Sequence, residues 1–155
     1  MIDNLKDGWT LVLFVQLMLI AIIDLRWQII PNASNVILGL SGAVHAYLNG
    51  SLLSAGVAAV VIFSLIAALS FLYTSLRKRQ GLGFGDVKFL SAAATWVGLM
   101  GMPWVVLIGS ISGLVYAVVL SLIGKPLAQT TRIAFGPHLA LGLMLTWVLR
   151  DVLVV

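Results

Sequence analysis

Uncharged, apolar stretches separated by short polar segments run along the whole chain. Six of them are apparent, over residues 9–23, 36–50, 52–76, 89–102, 104–124 and 135–149. A helix needs about 17 to 25 residues to cross a bilayer, so the shorter stretches must extend into their flanks. The pattern predicts an all-α, polytopic membrane protein of about six transmembrane helices, folded as a single domain over residues 1–155.

The composition indicates that lipid, rather than water, surrounds most of the chain. Hydrophobic residues make up 61% of the sequence and charged residues 9%, whereas soluble domains carry about 25% charged residues. The net charge of +4 is not gathered into a long basic cluster outside one loop, so we expect a lipid bilayer and no nucleic acid as partner. The absence of cysteine excludes disulfides, thiolate metal sites and cysteine nucleophiles.

The basic residues predict an orientation in the membrane. If six helices alternate, seven of the nine basic residues lie on one side, at Arg26, Arg77, Lys78, Arg79, Lys88, Lys125 and Arg132. Lys6 and Arg150 remain with the termini on the other side. The positive-inside rule then makes the first side cytoplasmic and both termini extracytoplasmic.

Aspartates are the only carboxylic side chains of the sequence. Three of the five lie near the termini, at Asp3, Asp7 and Asp151. Asp24 and Asp86 belong to the cytoplasmic ends of the first and fourth predicted helices, where an ionisable group is costly and marks a functional site. The structural alternatives are an Asp24–Arg26 pair or exposure at the headgroups for Asp24, and an N-cap of the fourth helix for Asp86.

Three glycines precede the second of these acids, in the run Gly81-Leu82-Gly83-Phe84-Gly85-Asp86. Glycines remove Cβ atoms and permit positive φ, whereas an ordinary helix cap needs at most one. The run is therefore suited to the close approach of an extended substrate backbone. A phosphate-binding loop is rejected because no strand precedes it, the lysine spacing is wrong, and an aspartate would repel phosphate.

Two facing carboxylates favour the chemistry of an aspartic peptidase. Like charges a few ångströms apart share one proton, so one carboxyl activates water while the other donates a proton, without metal, cofactor or covalent intermediate. We expect the shared proton on Asp24, because the first helix ends there while the fourth helix begins at Asp86.

The two histidines are weaker candidates for chemistry. His45 is expected in the second helix toward the opposite face, as a histidine with satisfied hydrogen bonds. His138 follows Pro137 and either approaches the acids or lies at the membrane interface. A shared metal is not expected, because the two histidines belong to opposite ends of their helices.

Three segments resemble the type IV prepilin peptidases, members of the Gly-x-Gly-Asp class of membrane aspartic peptidases. Asp24-Leu25-Arg26, followed by Ile30-Pro31-Asn32, resembles the first catalytic segment of that family. Gly81 to Lys88 resembles the second, and Phe135-Gly136-Pro137 resembles the turn that opens the last helix. In this order the resemblance covers nearly the whole chain.

The resemblance implies cleavage of the leader peptides of type IV prepilins, or of Flp-type pilins and pseudopilins, at the cytoplasmic face of the bacterial inner membrane. Asp24 and Asp86 would be the catalytic pair. Substrate-binding or loop roles would fall to the other motif residues, Pro31, Asn32, Gly83, Phe84, Gly85, Lys88, Phe135, Gly136 and Pro137. The chain is similar to the compact form that serves Flp tight-adherence pili, which lacks the N-terminal region associated with methyl transfer.

Two other functions use the same features differently. A proton-coupled carrier would relay protons through Asp24 and Asp86, but carriers place such acids near the midplane and use inverted repeats. A noncatalytic subunit of a pilus or secretion assembly would leave the glycine run without an evident purpose. Incubation with a prepilin distinguishes the peptidase from both.

Overall fold

The computed structural model describes residues 2–78, 82–123 and 134–153, and the side chains of 8–78, 82–123, 134–150 and 152–153. These residues form α1 Ile2–Trp27, α2 Asn32–Leu48, α3 Leu52–Arg77, α4 Phe84–Leu122, α5 Gly136–Val148 and the single turn α6 Arg150–Leu153. The predicted all-α class is confirmed for this part of the chain. Several predictions fall on positions outside it, namely those for Arg79, Gly81, Lys125, Arg132 and the side chains of Asp3, Lys6, Asp7 and Asp151.

Three helical segments are long and apolar enough to cross a membrane, Gly8–Trp27, Leu52–Arg77 and Phe84–Leu122, and Gly136–Val148 is a shorter apolar helix. Large hydrophobic side chains also point outward along them, such as Leu53, Phe71 and Met100, each more than three-quarters exposed. An outer surface this apolar requires lipid contact rather than water. The helices therefore form a membrane protein, as predicted, while the number of six spans remains a prediction.

A reversal of chain direction interrupts α4. Gly98 has φ 65° and ψ −175° inside the helix, a backbone conformation that is essentially restricted to glycine. Before Gly98, residues 84–97 pack on α2 and α3, and the Trp96 indole N–H donates to the carbonyl of Leu38 at 2.9 Å. After it, residues 99–122 pack antiparallel to α5, since Gly142 faces Val105 whereas Gly113 faces Phe135.

The sequence placed this boundary near Pro103, between the fourth and fifth apolar stretches, and that position is wrong. Pro103 lies within the helical segment that follows the reversal. The reason is conformational: the direction changes at the residue that can adopt positive φ in an extended conformation, and Gly98 does so whereas proline is held near −65°.

Helix ends meet at two opposite ends of the bundle. At the first, which we call the carboxylate end, the end of α1 lies against the start of α5, because Asp24 contacts Gly136. The start of α4 joins them, since a Cβ on Gly85 would lie 3.4 Å from Ile30, in the α1–α2 connection. The α3–α4 connection lies here too, as the Ser70 hydroxyl donates to the carbonyl of Leu82.

The second end, which we call the tryptophan end, is held together by aromatic rings from four helical segments. The His45 ring near the end of α2 stacks on Trp96 at 5.8 Å, and contacts Trp9 and Trp147 edge-on at 5.5 and 5.0 Å. The His45 Nε2 also lies 3.1 Å from Asn49 Nδ2. His45 therefore has satisfied polar contacts far from the carboxylates, as the sequence analysis expected.

Small residues set the close approach of α5 to the second half of α4. A Cβ on Gly109 would lie 3.2 Å from the carbonyl oxygen of His138, and one on Gly142 would collide with the carbonyl of Val105. Gly109 and Gly113, four residues apart, thus lie where α4 and α5 pack closely. Close backbone contact of this kind is the usual way in which helices associate in lipid.

We expect Gly98→Ala to lower the stability of the fold by about 1 to 3 kcal/mol, the cost of holding a non-glycine residue in this conformation. A Cβ at position 98 has no atom within 4 Å, so the loss would come from the backbone alone. Gly56→Ala is the matched control, because its Cβ is equally unobstructed and alanine favours a helix interior by up to about 1 kcal/mol. Thermal unfolding in detergent measures both, and equal melting temperatures would contradict the prediction.

Candidate active site

Asp24 occupies the last turn of α1 and points into the protein. Its side chain is only 5% exposed, and Oδ2 accepts a hydrogen bond from the backbone N–H of Gly136 at 2.8 Å. Exposure at the headgroups, one structural alternative, is therefore wrong. The Arg26 guanidinium lies over the Trp27 ring at 5.4 Å, and the hydrogen bond to the Asp24 carboxylate comes from α5.

The start of α5 is built to receive this carboxylate. Gly136 is the first residue of the helix, and its N–H is among the donors that helices leave unpaired at their N-termini. Pro137 has no N–H, and the N–H groups of His138 and Leu139 both donate to the carbonyl of Phe135, at 3.1 and 3.0 Å. Asp24 thus accepts from the Gly136 N–H, which has no carbonyl acceptor within this turn.

Gly136 also provides the space that Asp24 needs. A Cβ at this position would lie 2.7 Å from Oδ2 of Asp24 and 3.0 Å from its Cγ. The Phe135-Gly136-Pro137 segment was assigned only by resemblance, and the structure adds its physical reason: any larger residue at 136 would displace the acid.

Asp86 lies in the first turn of α4, three residues after the N-cap residue Gly83. Its carboxylate accepts a hydrogen bond from the backbone of Gly83 and is near enough to Asp24 for the two charges to interact. The N-cap alternative for Asp86 is wrong in detail, since Gly83 holds that position, although the acid does satisfy a backbone donor at the helix start. The structure therefore brings the two predicted acids together at the carboxylate end.

The glycines before Asp86 serve space rather than unusual backbone angles. Gly83 has φ −63°, and neither Gly83 nor Gly85 is among the glycines with positive φ, so these two do not use the positive φ that glycine permits. A Cβ on Gly83 would lie 3.1 Å from Asp86 Oδ2, and one on Gly85 would lie 3.4 Å from Ile30. Gly83 and Gly85 thus leave one side of Asp86 without side chains and let the segment that contains Asp86 contact the Ile30-Pro31-Asn32 segment.

Polar contacts join the start of α2 to the start of α4. The Lys88 ammonium donates to Asn32 Oδ1 at 2.7 Å and lies 4.9 Å over the Phe84 ring. Pro31 precedes this turn as the N-cap residue of α2. The side-chain amide of Asn35 donates to the carbonyl of Gly85 at 3.3 Å, a contact that the sequence analysis missed.

A groove opens beside this junction, between α2, α3 and the first half of α4. Its volume is about 380 Å³, and its polar side is formed by Asn32, Asn35 and Lys88. Phe63 of α3 forms part of its apolar side and meets Phe84 edge-on at 6.2 Å. The signal for Asn35 was present in the sequence as a second polar residue one helical turn after Asn32.

His138 lies in the first turn of α5, and its ring packs against the second half of α4. It lies two residues after Gly136, and its Nδ1 is hydrogen-bonded to Ser112 Oγ at 2.6 Å. Its ring contacts Phe135 at 6.4 Å and Tyr116 at 5.4 Å. Ser112 could not be selected from the sequence, because an isolated serine in an apolar helix carries no distinguishing pattern.

The start of α5 opposes the helix-end effect that favours the shared proton on Asp24. Asp86 lies at the start of α4, but Asp24 lies at the start of α5 as well as at the end of α1, and accepts a backbone N–H there. Helix N-termini therefore favour the anion at both acids, and the assignment of the shared proton to Asp24 stays a prediction.

The chain matches a known protein family. Residues 11–118 match the type IV leader peptidase family. The chain belongs to this family. The resemblance drawn from the three sequence segments is therefore confirmed, and the matched residues include both Asp24 and Asp86.

Curated relatives within the family carry the same kind of name. The chain is 34% identical to a prepilin leader peptidase/N-methyltransferase of Escherichia coli K12 over 134 residues, which cover 85% of this chain and 59% of that protein. It is 32% identical to a type 4 prepilin-like proteins leader peptide-processing enzyme of Escherichia coli O78:H11, over 88% of this chain and 51% of that protein. The chain thus spans between half and three-fifths of the length of these relatives, and no solved structure matches it.

Proposed function

We propose that this protein is a membrane aspartic endopeptidase that removes the leader peptides of type IV prepilins or Flp-type pilins and pseudopilins. The observation that carries the proposal is the meeting of Asp24 and Asp86, 62 residues apart in the sequence, at one end of an otherwise apolar bundle. The family and the names of the relatives supply the substrate class.

The carboxylates would divide the work of peptide hydrolysis between them. One carboxylate accepts a proton from water, whose oxygen attacks the carbonyl carbon of the scissile bond, while the protonated partner donates to the carbonyl oxygen. The proton taken from water then passes to the leaving nitrogen as the C–N bond breaks, and a hydroxyl of the tetrahedral intermediate returns a proton to the partner carboxylate as the new carbonyl forms. Among the residues that the structure describes, no group of three or more potential metal ligands is present, and the two acids suffice for this sequence of steps.

The remaining motif residues support a peptide-binding role beside the pair. Gly83 and Gly85 add no side chains next to Asp86 and Ile30, while Asn32 and Lys88 supply polar groups to the lining of the nearby groove. The volume of the groove lies within the range of about 300 to 1,000 Å³ that ligand sites occupy. We propose that an extended leader segment lies in this groove, with its backbone facing the polar side.

The position of the acids disfavours a carrier. Both lie in terminal turns of their helices, at the carboxylate end, whereas coupling acids of carriers lie near the bilayer midplane.

A purified preparation in proteoliposomes, mixed with a prepilin, should yield the leader-sized loss of mass in a mass spectrum. An intact prepilin after prolonged incubation at several enzyme concentrations would contradict the proposal.

We further propose six membrane spans in the bacterial inner membrane, with the carboxylate end toward the cytoplasm. The support is the reversal at Gly98, which divides α4 into two antiparallel segments, together with the ends of α1 and α3 and the starts of α4 and α5 at the carboxylate end. In the sequence, seven of the nine basic residues lie in the terminal turns at these helix ends or in the segments that connect them, and basic residues favour the cytoplasmic side.

Single cysteines can test this orientation, because the natural chain has none. Ser51→Cys marks the α2–α3 connection at the tryptophan end, and Lys78→Cys marks the end of α3; both positions are exposed. We expect a membrane-impermeant thiol reagent to label position 51 once the outer membrane is opened, and position 78 only after the inner membrane is permeabilised. The reverse labelling pattern would show that the carboxylate end faces outward.

A further inference from the structure

We propose that the hydrogen bond between Ser112 and His138 is a positioning device for the Asp24 carboxylate. It would hold the first turn of α5 against α4, so that the Gly136 N–H stays directed at Asp24. The proposal rests on the proposed peptidase function, and it assigns a reaction-specific task to two residues outside the three motif segments.

The starting point is the tight contact between α5 and Asp24. The Gly136 N–H donates to Oδ2 of Asp24 at 2.8 Å. The carboxylate lies so close to Gly136 that a Cβ at this position would be only 2.7 Å from Oδ2. A movement of the first turn of α5 by a fraction of an ångström would therefore either break this hydrogen bond or press on the carboxylate. Catalytic groups lose about 100-fold in rate when misplaced by about 1 Å, so this turn must be held in place.

The hydrogen bonds within the turn do not fix its position relative to α4. Its backbone donors beyond Gly136 are used internally, on the carbonyl of Phe135. Gly109 and Gly142 allow α5 to approach α4 closely, and the Leu139 side chain packs against Gly109, but such van der Waals contacts are less directional than a hydrogen bond. A directional contact is needed to fix the rotation of the turn.

His138 provides that directional contact. Its Nδ1 and Ser112 Oγ are hydrogen-bonded at 2.6 Å, a short distance for an N···O pair. The imidazole lies over Gly113, where a Cβ would be 3.7 Å from the ring, and beside Tyr116 at 5.4 Å. The ring thus packs on one face of α4 and is hydrogen-bonded to it. His138 lies two residues after Gly136, whose N–H donates to Asp24.

The test compares variants that remove this bond with variants that keep it. Ser112→Ala and His138→Phe remove one partner while leaving most of the volume, and we expect each to lower kcat about tenfold, the worth of one hydrogen bond, with KM within about twofold. Ser112→Thr retains the hydroxyl, and His138→Asn offers an amide that can donate or accept. We expect both conservative variants to recover kcat to within about threefold.

A second measurement makes the test independent of activity. The amide resonance of Gly136, assigned by selective glycine labelling in detergent, reports its hydrogen bond to Asp24. We expect it to shift in Ser112→Ala and to return toward the wild-type position in Ser112→Thr. If the wild type failed to cleave any prepilin, the proposed function would fall, while this resonance would still decide the positioning role.

Thr146→Val is the matched control, since it removes a hydroxyl from the same helix at the tryptophan end, where it donates to the carbonyl of Gly142 at 2.8 Å. We expect it to leave both kcat and the Gly136 resonance unchanged. Three results would overturn the proposal: unchanged kcat in Ser112→Ala, an unmoved Gly136 resonance in that variant, or an equal loss of kcat in Thr146→Val.

Discussion

Asp24→Asn and Asp86→Asn are each expected to reduce leader cleavage by at least about 10³-fold, because each removes one of the two proton-transferring groups. Asparagine keeps the size and the acceptor oxygen of the side chain but can neither accept the proton from water nor supply one. In Asp24→Asn the amide oxygen can still accept from the Gly136 N–H, so the fold around position 24 should survive. Turnover of a purified prepilin by equal amounts of inserted enzyme measures the loss.

Asp7→Asn is the control for this pair of substitutions, since it makes the same chemical change in the first turns of α1, far along the chain from both acids. It should cleave at the wild-type rate. If either Asp24→Asn or Asp86→Asn retained more than about a tenth of wild-type turnover, a loss far smaller than general acid–base catalysis supplies, that residue would not belong to the catalytic pair.

Gly136→Ala is expected to lower kcat/KM about 100-fold or more, the loss typical of a catalytic group displaced by about 1 Å. The new Cβ would lie 2.7 Å from Asp24 Oδ2 and 3.1 Å from its Cβ. Asp24 is buried and cannot swing into solvent, so either the carboxylate or the start of α5 must move. Either movement breaks the 2.8 Å hydrogen bond between them.

Two comparisons separate this effect from a general loss of stability. Gly8→Ala adds the same methyl group to a helix where no atom lies within 4 Å, and it should keep full activity. Gly136→Ser should be at least as impaired as Gly136→Ala, because its side chain is larger. Wild-type kcat/KM in Gly136→Ala would mean that Asp24 adopts another position during the reaction.

Much of the site could be anticipated because its signals are local. Apolar stretches of helical length predict an all-α membrane protein, since lipid leaves backbone groups no other partner than their own helix. With only two acids away from the termini, Asp24 and Asp86 could be selected by elimination. The glycines before Asp86 likewise predict a position that leaves no room for side chains. The sequence could not show that Ile30 and Asp86 itself occupy the neighbouring space, or that Gly83 and Gly85 do not adopt positive φ.

The remaining features depend on contacts between residues that are distant in the sequence. The bond from Gly136 to Asp24 spans 112 positions, and that from Asn35 to Gly85 spans 50; no periodicity encodes either. The position of the reversal at Gly98 was missed because a glycine in an apolar run is compatible with a continuous helix until packing against α5 requires the chain to return. The sequence alone specifies which groups are chemically able to act. Only helix packing decides which of them meet. Small residues let two helices approach each other, and this approach brings polar groups of different helices within hydrogen-bond distance.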